Sequence, residues 1–90
     1  MGATNTNVAA VAVVPIGGSS SSGAKLGLID SVAKAAQNDT FTVTNGTTYF
    51  QVLSIIDDTT GAFETHTVSS NVVTMTSATT GAKTALVLFK

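Results

Sequence analysis

From residue 39 onward, short runs of Thr, Val, Phe, Tyr and Ile alternate with polar positions, and turn residues stand between the runs, which is the pattern left by β-strands. Residues 40–44 send Phe41 and Val43 to one side and Thr to the other. Asn45 followed by Gly46 then predicts a two-residue hairpin, since both residues tolerate positive φ. The next run, 47–56, is apolar on both faces, with Tyr49, Leu53 and Ile55 against Phe50, Val52 and Ile56. Such a strand is expected at the centre of a sandwich or beneath another subunit. Further strands are expected at 63–69, 72–77 and 84–90, with turns at 57–62, 70–71 and 78–82. The last strand is also apolar on both faces, and as a naked edge it would aggregate, so it has to be paired, covered or closed into a barrel. Thr-Thr-Gly-Ala occurs at Thr59 and again at Thr79, marking two similar turns; two copies with unlike flanks do not make a repeat architecture.

The first 23 residues differ in character. A polar start leads into the apolar run 8–16, rich in β-branched valine and ending on Pro15 and Ile16, and then into a Gly/Ser stretch at 17–23. Pro15 cannot donate to a sheet ladder, so the run reads as an edge strand. The Gly/Ser composition is that of a flexible tether, which lets the arm reach a neighbouring subunit or close an edge of its own sheet; the sequence leaves both open. Residues 24–34 alternate through Leu26, Leu28 and Val32 as a strand, and 33–37 suit a single helical turn. The fold expected is therefore all-β: a small β-sandwich or barrel with an extended N-terminal arm. The arm and linker take residues 1–23, and the compact domain takes 24–90.

Composition changes this picture in one respect. Charged residues are 10% of the chain while apolar residues are 43%, and four lysines face five carboxylates with no arginine. A typical soluble domain carries about 25% charge, so this chain is suited to burying its surface against other copies or a host. A basic stripe of the kind that neutralises phosphates is missing, which argues against nucleic acid. The longest apolar run is about half of the roughly 20 residues a spanning helix needs, so no membrane partner is expected. No Lys or Arg precedes that run, unlike a signal peptide. Gly2 fits the myristoylation pattern by letter alone.

Candidate chemistry is sparse. His66, the single histidine, shares a strand face with Glu64, which could orient it as in a hydrolytic triad; a solvated pair explains the same spacing more simply. Ser22 and Lys25 match a Ser-x-x-Lys pattern without its companion motifs. Gly18 to Gly23 has phosphate-loop spacing, but Lys25 comes one residue late and Leu26 stands where Ser or Thr binds magnesium. Asp57 and Asp58 could ligate calcium, although Asp in a turn more often caps its own backbone. Asn38 and Asn45 head glycosylation triplets by letter. No catalytic residue, cofactor site or metal site is assigned, and the chain is expected not to be an enzyme. The contact residues expected are Val8, Val11, Val13 and Ile16 in the arm, with Tyr49 and Phe50 on the two-faced strand.

Four stretches carry a resemblance: 38–43 (NDTFTV), 49–56 (YFQVLSII), 68–76 (VSSNVVTMT) and 80–89 (TGAKTALVLF). Together they resemble small capsid-decoration, or cement, proteins of tailed phages. The resemblance covers rather more than half the chain, and the N-terminal segment departs from it. It implies a compact β fold, a homo-oligomer expected as a trimer, and a place on the capsid exterior in contact with the major capsid protein lattice. Thr/Val strands joined by Gly turns also occur in adhesin and surface-layer domains, so a cell-surface or fibre module is the alternative.

Overall fold

A computed structural model describes residues 5–15, 24–45 and 48–90. Eight strands form two four-stranded sheets: β1 (Asn5–Val8), β2 (Val11–Pro15), β3 (Lys25–Lys34), β4 (Thr40–Val43), β5 (Phe50–Asp57), β6 (His66–Ser69), β7 (Val72–Met75) and β8 (Gly81–Phe89). One sheet has the order β1-β4-β7-β6 and the other β2-β3-β8-β5. The fold is a small all-β sandwich. Among the described residues, only β6 and β7 are joined as neighbours within one sheet by a tight turn, at Ser70 and Asn71, where Ser70 takes a positive φ of 54°. The links β1–β2, β3–β4, β4–β5, β5–β6 and β7–β8 all cross from sheet to sheet.

The hairpin expected at Asn45 and Gly46 is one of those crossings. β4 pairs with β1 and β7, whereas β5 pairs with β8 in the other sheet. Gly46 lies outside the described residues. Asn45 serves a different end: its Nδ2 donates to the Ala10 carbonyl at 2.8 Å, and its Oδ1 accepts from the Ala10 amide at 3.0 Å. This side chain therefore clips the β1–β2 crossing, satisfying backbone groups that no strand pairs. The N-terminal segment supplies an edge strand to each sheet, with β1 parallel to β4 and β2 antiparallel to β3.

The core is built from Ile29, Val32, Phe50, Ile55, Ala85, Val87 and Phe89 of one sheet against Phe41, Val43, Val73 and Met75 of the other. Phe41 and Val43 point inward as the alternation predicts. Two strands depart from simple alternation because each carries a bulge beside β8. In β3 the register slips between Ile29 and Val32, with Ser31 at φ 55°. Ile29 and Val32 are consequently buried, while Leu28, which the alternation set in one phase with Val32, faces out. In β5 the slip falls between Val52 and Ser54, leaving Leu53 outside and Ile55 buried at 1% exposure. An extra residue shifts the two-residue period by one, which is why the face assignments on either side of a bulge cannot both follow from one count. Lys34 still belongs to β3, so the turn expected at 33–37 begins only after it. That turn is stapled by buried Asp39, whose Oδ2 accepts from the Ala35 and Ala36 amides at 2.6 and 3.1 Å.

The final strand β8 is central and paired on both sides, so it is no naked edge; one apolar face enters the core, and Leu86 and Leu88 point to the outer side. Both Thr-Thr-Gly-Ala turns use glycine at positive φ, 75° at Gly61 and 116° at Gly81. Gly27 has a different role. A Cβ there would lie 2.6 Å from the Val11 carbonyl oxygen and 2.7 Å from the Phe89 ring, so β2 can lie this close only over a hydrogen. Gly27→Ala is expected to push β2 off the sheet and cost about 1–3 kcal/mol, read as a lowered urea midpoint with faster amide exchange confined to 11–15.

Candidate functional site

The two outer faces of the sandwich have opposite chemistry. On the β1-β4-β7-β6 sheet the outward row runs Asn5, Thr40, Thr74, Thr67 across all four strands, and the Thr40 and Thr42 hydroxyls donate to Asn5 Oδ1 at 2.7 and 3.0 Å. That face suits water. On the other sheet the outward rows are apolar: Val11 lies opposite Leu28, Leu28 opposite Leu86 and Leu86 opposite Ser54, while Leu26 lies opposite Leu88. Val11 is 67% exposed, Leu53 53% and Leu28 36%. Between Leu28, Ser54, Ile56, Thr84 and Leu86 runs a shallow groove of about 220 Å³. Charge appears only at the ends of this face among the described residues. Asp30 and Asp58 meet Thr84 Oγ1 at 3.1 and 2.6 Å at one end, and exposed Lys90 closes the other.

The expected contact residues divide between surface and core. Val11 lies on the apolar face, and Tyr49, 38% exposed, lines an open cleft of about 580 Å³ with Val43, Thr44, Thr48, Phe50, Ser70 and Asn71. Phe50 is 8% exposed and belongs to the core while lining that cleft, and Val8 is half-buried against the core. Ile16 lies outside the described residues, as does the side chain of Val13. Sequence alone does not single out Leu28 and Leu86 on this face: the bulge in β3 sets Leu28 outward, and β8 reads as apolar on both sides.

A second feature is buried. Inside the sandwich the rows run Phe50-Phe89-Lys25, Val52-Val87-Gly27, Ile55-Ala85-Ile29 and then Asp57-Lys83-Val32, with Lys34 one step beyond. The apolar core thus ends in charge. Lys34 is 2% exposed, Lys83 1% and Glu64 4%. Lys83 Nζ donates to Asp57 Oδ2 at 2.8 Å and lies 3.1 Å from Glu64 Oε1. Lys34 Nζ reaches Glu64 Oε2 at 3.2 Å and the carbonyl oxygens of Ser77 and Thr79 at 2.5 and 2.6 Å. Ser77 donates to Glu64 twice, from its amide at 2.9 Å and from its hydroxyl at 2.6 Å. Asp57 Oδ1 accepts from the Thr59 and Thr60 amides at 2.8 and 3.1 Å. Among the described residues no buried side-chain nitrogen or oxygen lacks a partner.

Electrostatics follow from these contacts. Burial pushes the Glu64 carboxyl up, but the Ser77 hydroxyl and amide and the two ammonium groups outweigh it and hold the pKa at about 2. The Lys83 hydrogen bond, then the Thr59 and Thr60 amides, lower Asp57 to about 2. A carboxyl whose pKa is depressed on folding contributes stability that is complete above its unfolded value and lost as pH falls through the folded one. Circular dichroism is therefore expected to show stability level above about pH 5 and falling between pH 4.5 and about 2 as Glu64 protonates.

His66 and the Glu64 carboxylate do not form the pair expected of a triad. The imidazole Nδ1 lies 3.3 Å from the Glu64 carbonyl, while the carboxylate is taken by Lys34, Lys83 and Ser77. Asp57 and Asp58 likewise diverge, Asp57 to Lys83 and Asp58 to Ser31 and Thr84. Ser22 and the Gly18 to Gly23 spacing lie outside the described residues. No helix among the described residues is long and apolar enough to cross a membrane. No protein family, curated protein or solved structure matches this chain.

Proposed function

We propose that the chain is a non-catalytic virion structural protein that decorates and stabilises a phage capsid as an oligomer. The observation that carries this reading is the leucine-lined outer face of the β2-β3-β8-β5 sheet, on a chain with only 10% charged residues. A continuous apolar sheet face is a surface for another protein, because water gains nothing by leaving the threonine face and much by leaving this one. Copies joined through it, as a trimer in this proposal, present several weak contacts at once to the major capsid protein lattice. Each later contact is then intramolecular, so modest interfaces hold a shell. The place proposed is the capsid exterior.

The direct test is cosedimentation of the tagged protein with purified particles of the virus that encodes it. Saturable binding at a fixed ratio to the major capsid protein is expected. Protein that stays in the supernatant at every concentration contradicts the proposal.

A further inference from the structure

We propose that Lys83 and Asp57 condense to an intramolecular amide between β8 and β5, with Glu64 carrying the proton. The geometry supplies each part of that reaction. The amine and the carboxyl lie directly opposite in register, with Nζ 2.8 Å from Oδ2. Glu64 Oε1 touches the same nitrogen at 3.1 Å, in reach of a proton that the nitrogen must shed. Asp57 Oδ1, where negative charge develops when Cγ becomes tetrahedral, already accepts two backbone N–H groups from Thr59 and Thr60, as in an oxyanion hole. Side-chain exposures of 1% for Lys83, 13% for Asp57 and 0% for Glu64 keep bulk water from competing.

The step balances without a co-reactant. A proton passes from Lys83 Nζ to Asp57 Oδ2 along their hydrogen bond, giving a neutral amine and a neutral carboxyl. Nζ attacks Cγ and the N–C bond forms. Glu64 takes a proton from the nitrogen and returns it to Oδ2; the Cγ–Oδ2 bond breaks and water leaves. The ion pair is the resting state, so the neutral pair is a minor species and the step is slow. It needs to happen once per molecule. Burial acts on Lys83 and Glu64 toward the neutral form, but the ion-pair hydrogen bonds outweigh it, raising the Lys83 pKa and holding Glu64 at about 2, so the neutral pair forms rarely.

Charge parity favours the product as well. Two ammonium groups and two carboxylates share the cluster, and condensation removes one of each, leaving Lys34 and Glu64 as a matched buried pair. The staple also suits the chain's composition. With no cysteine it can form no disulfide, while a domain this small gains most from a covalent tie, here closing a separation of 26 residues.

Intact-mass measurement of the purified full chain tests the proposal, both fresh and after several days at neutral pH. A mass about 18 Da, one water, below that of the sequence is expected, with trypsin failing to cut after Lys83 and fragments tying Asp57 to Lys83. Lys83→Arg and Glu64→Gln are expected to keep the full sequence mass. Wild-type protein that stays at full mass and is cut after Lys83 overturns the proposal, and that result needs no variant to fold. A loss of water that persists in Lys83→Arg also overturns it, because it then arises from a succinimide elsewhere.

Discussion

Glu64→Ala is expected to unfold the domain or bring it close to unfolding. Glu64 is the shared anion of two buried lysines, with both carboxylate oxygens engaged. Its removal leaves a surplus cation, whether or not Lys83 has been consumed by Asp57, and strands the Ser77 amide and hydroxyl. Removing one partner of a buried ion pair costs about 3–5 kcal/mol, because the charge left behind has neither water nor counter-ion. Native domains are stable by only about 5–15 kcal/mol, and a small one sits near the lower end. The urea midpoint is expected to fall by about 2–4 M, or folding to be lost at 25 °C. Pairing the change with Lys34→Met restores parity, since Lys83 and Asp57 remain matched. The double variant is expected to be more stable than Glu64→Ala alone, a non-additivity that exposed salt bridges do not produce. Equal midpoints for Glu64→Ala and wild type would show that the cluster carries no charge balance.

Leu86→Asp is expected to dissociate the proposed oligomer while the sandwich stays folded. Leu86 is on the central strand, opposite Leu28 on one side and Ser54 on the other, and its side chain leaves the core to Ala85 and Val87. A carboxylate buried there in an interface loses hydration with no cation within the face among the described residues, as Lys90 stands at the end of the strand. Such a penalty is several kcal/mol, so association weakens on the order of 100-fold or more. Size exclusion is expected to shift to the monomer position with an unchanged far-ultraviolet spectrum. Thr74→Asp, on the hydrated face, is the control and leaves the oligomer intact. Dissociation by Thr74→Asp rather than Leu86→Asp would place the interface on the wrong sheet.

The strand content was legible because Thr/Val/Phe alternation between turn residues has few other meanings. Phe41, Val43 and the pair around Ser70 and Asn71 lie where that alternation puts them. What a two-residue count cannot see is a bulge. The slips at Asp30 and Ser31 and at Leu53 exchange inside for outside, which is why Leu28 escaped notice while Phe50 looked like surface; Leu86 lies on β8, which alternates regularly but is apolar on both faces, so its outer side could not be chosen by count. Asn45 with Gly46 was ambiguous for another reason: the same residues that make a tight hairpin also let a chain cross between sheets, and only the pairing of β5 with β8 decides. The buried cluster did leave a signal. Lys83 occupies an inward position in phase with Ala85, Val87 and Phe89, and Lys34 is in phase with Val32. A lysine in the apolar register of a strand requires a buried anion. The identity of that anion was hidden, because Asp57 ends β5 while Glu64 lies in the connection before β6.

Other copies of the chain are proposed to cover the leucine face. Light scattering across a dilution series of the purified protein tests this most directly. An integer multiple of 9.0 kDa that persists into the low micromolar range is expected, three copies for the trimer proposed. A mass of 9.0 kDa at every concentration, in a protein that remains freely soluble, would contradict it.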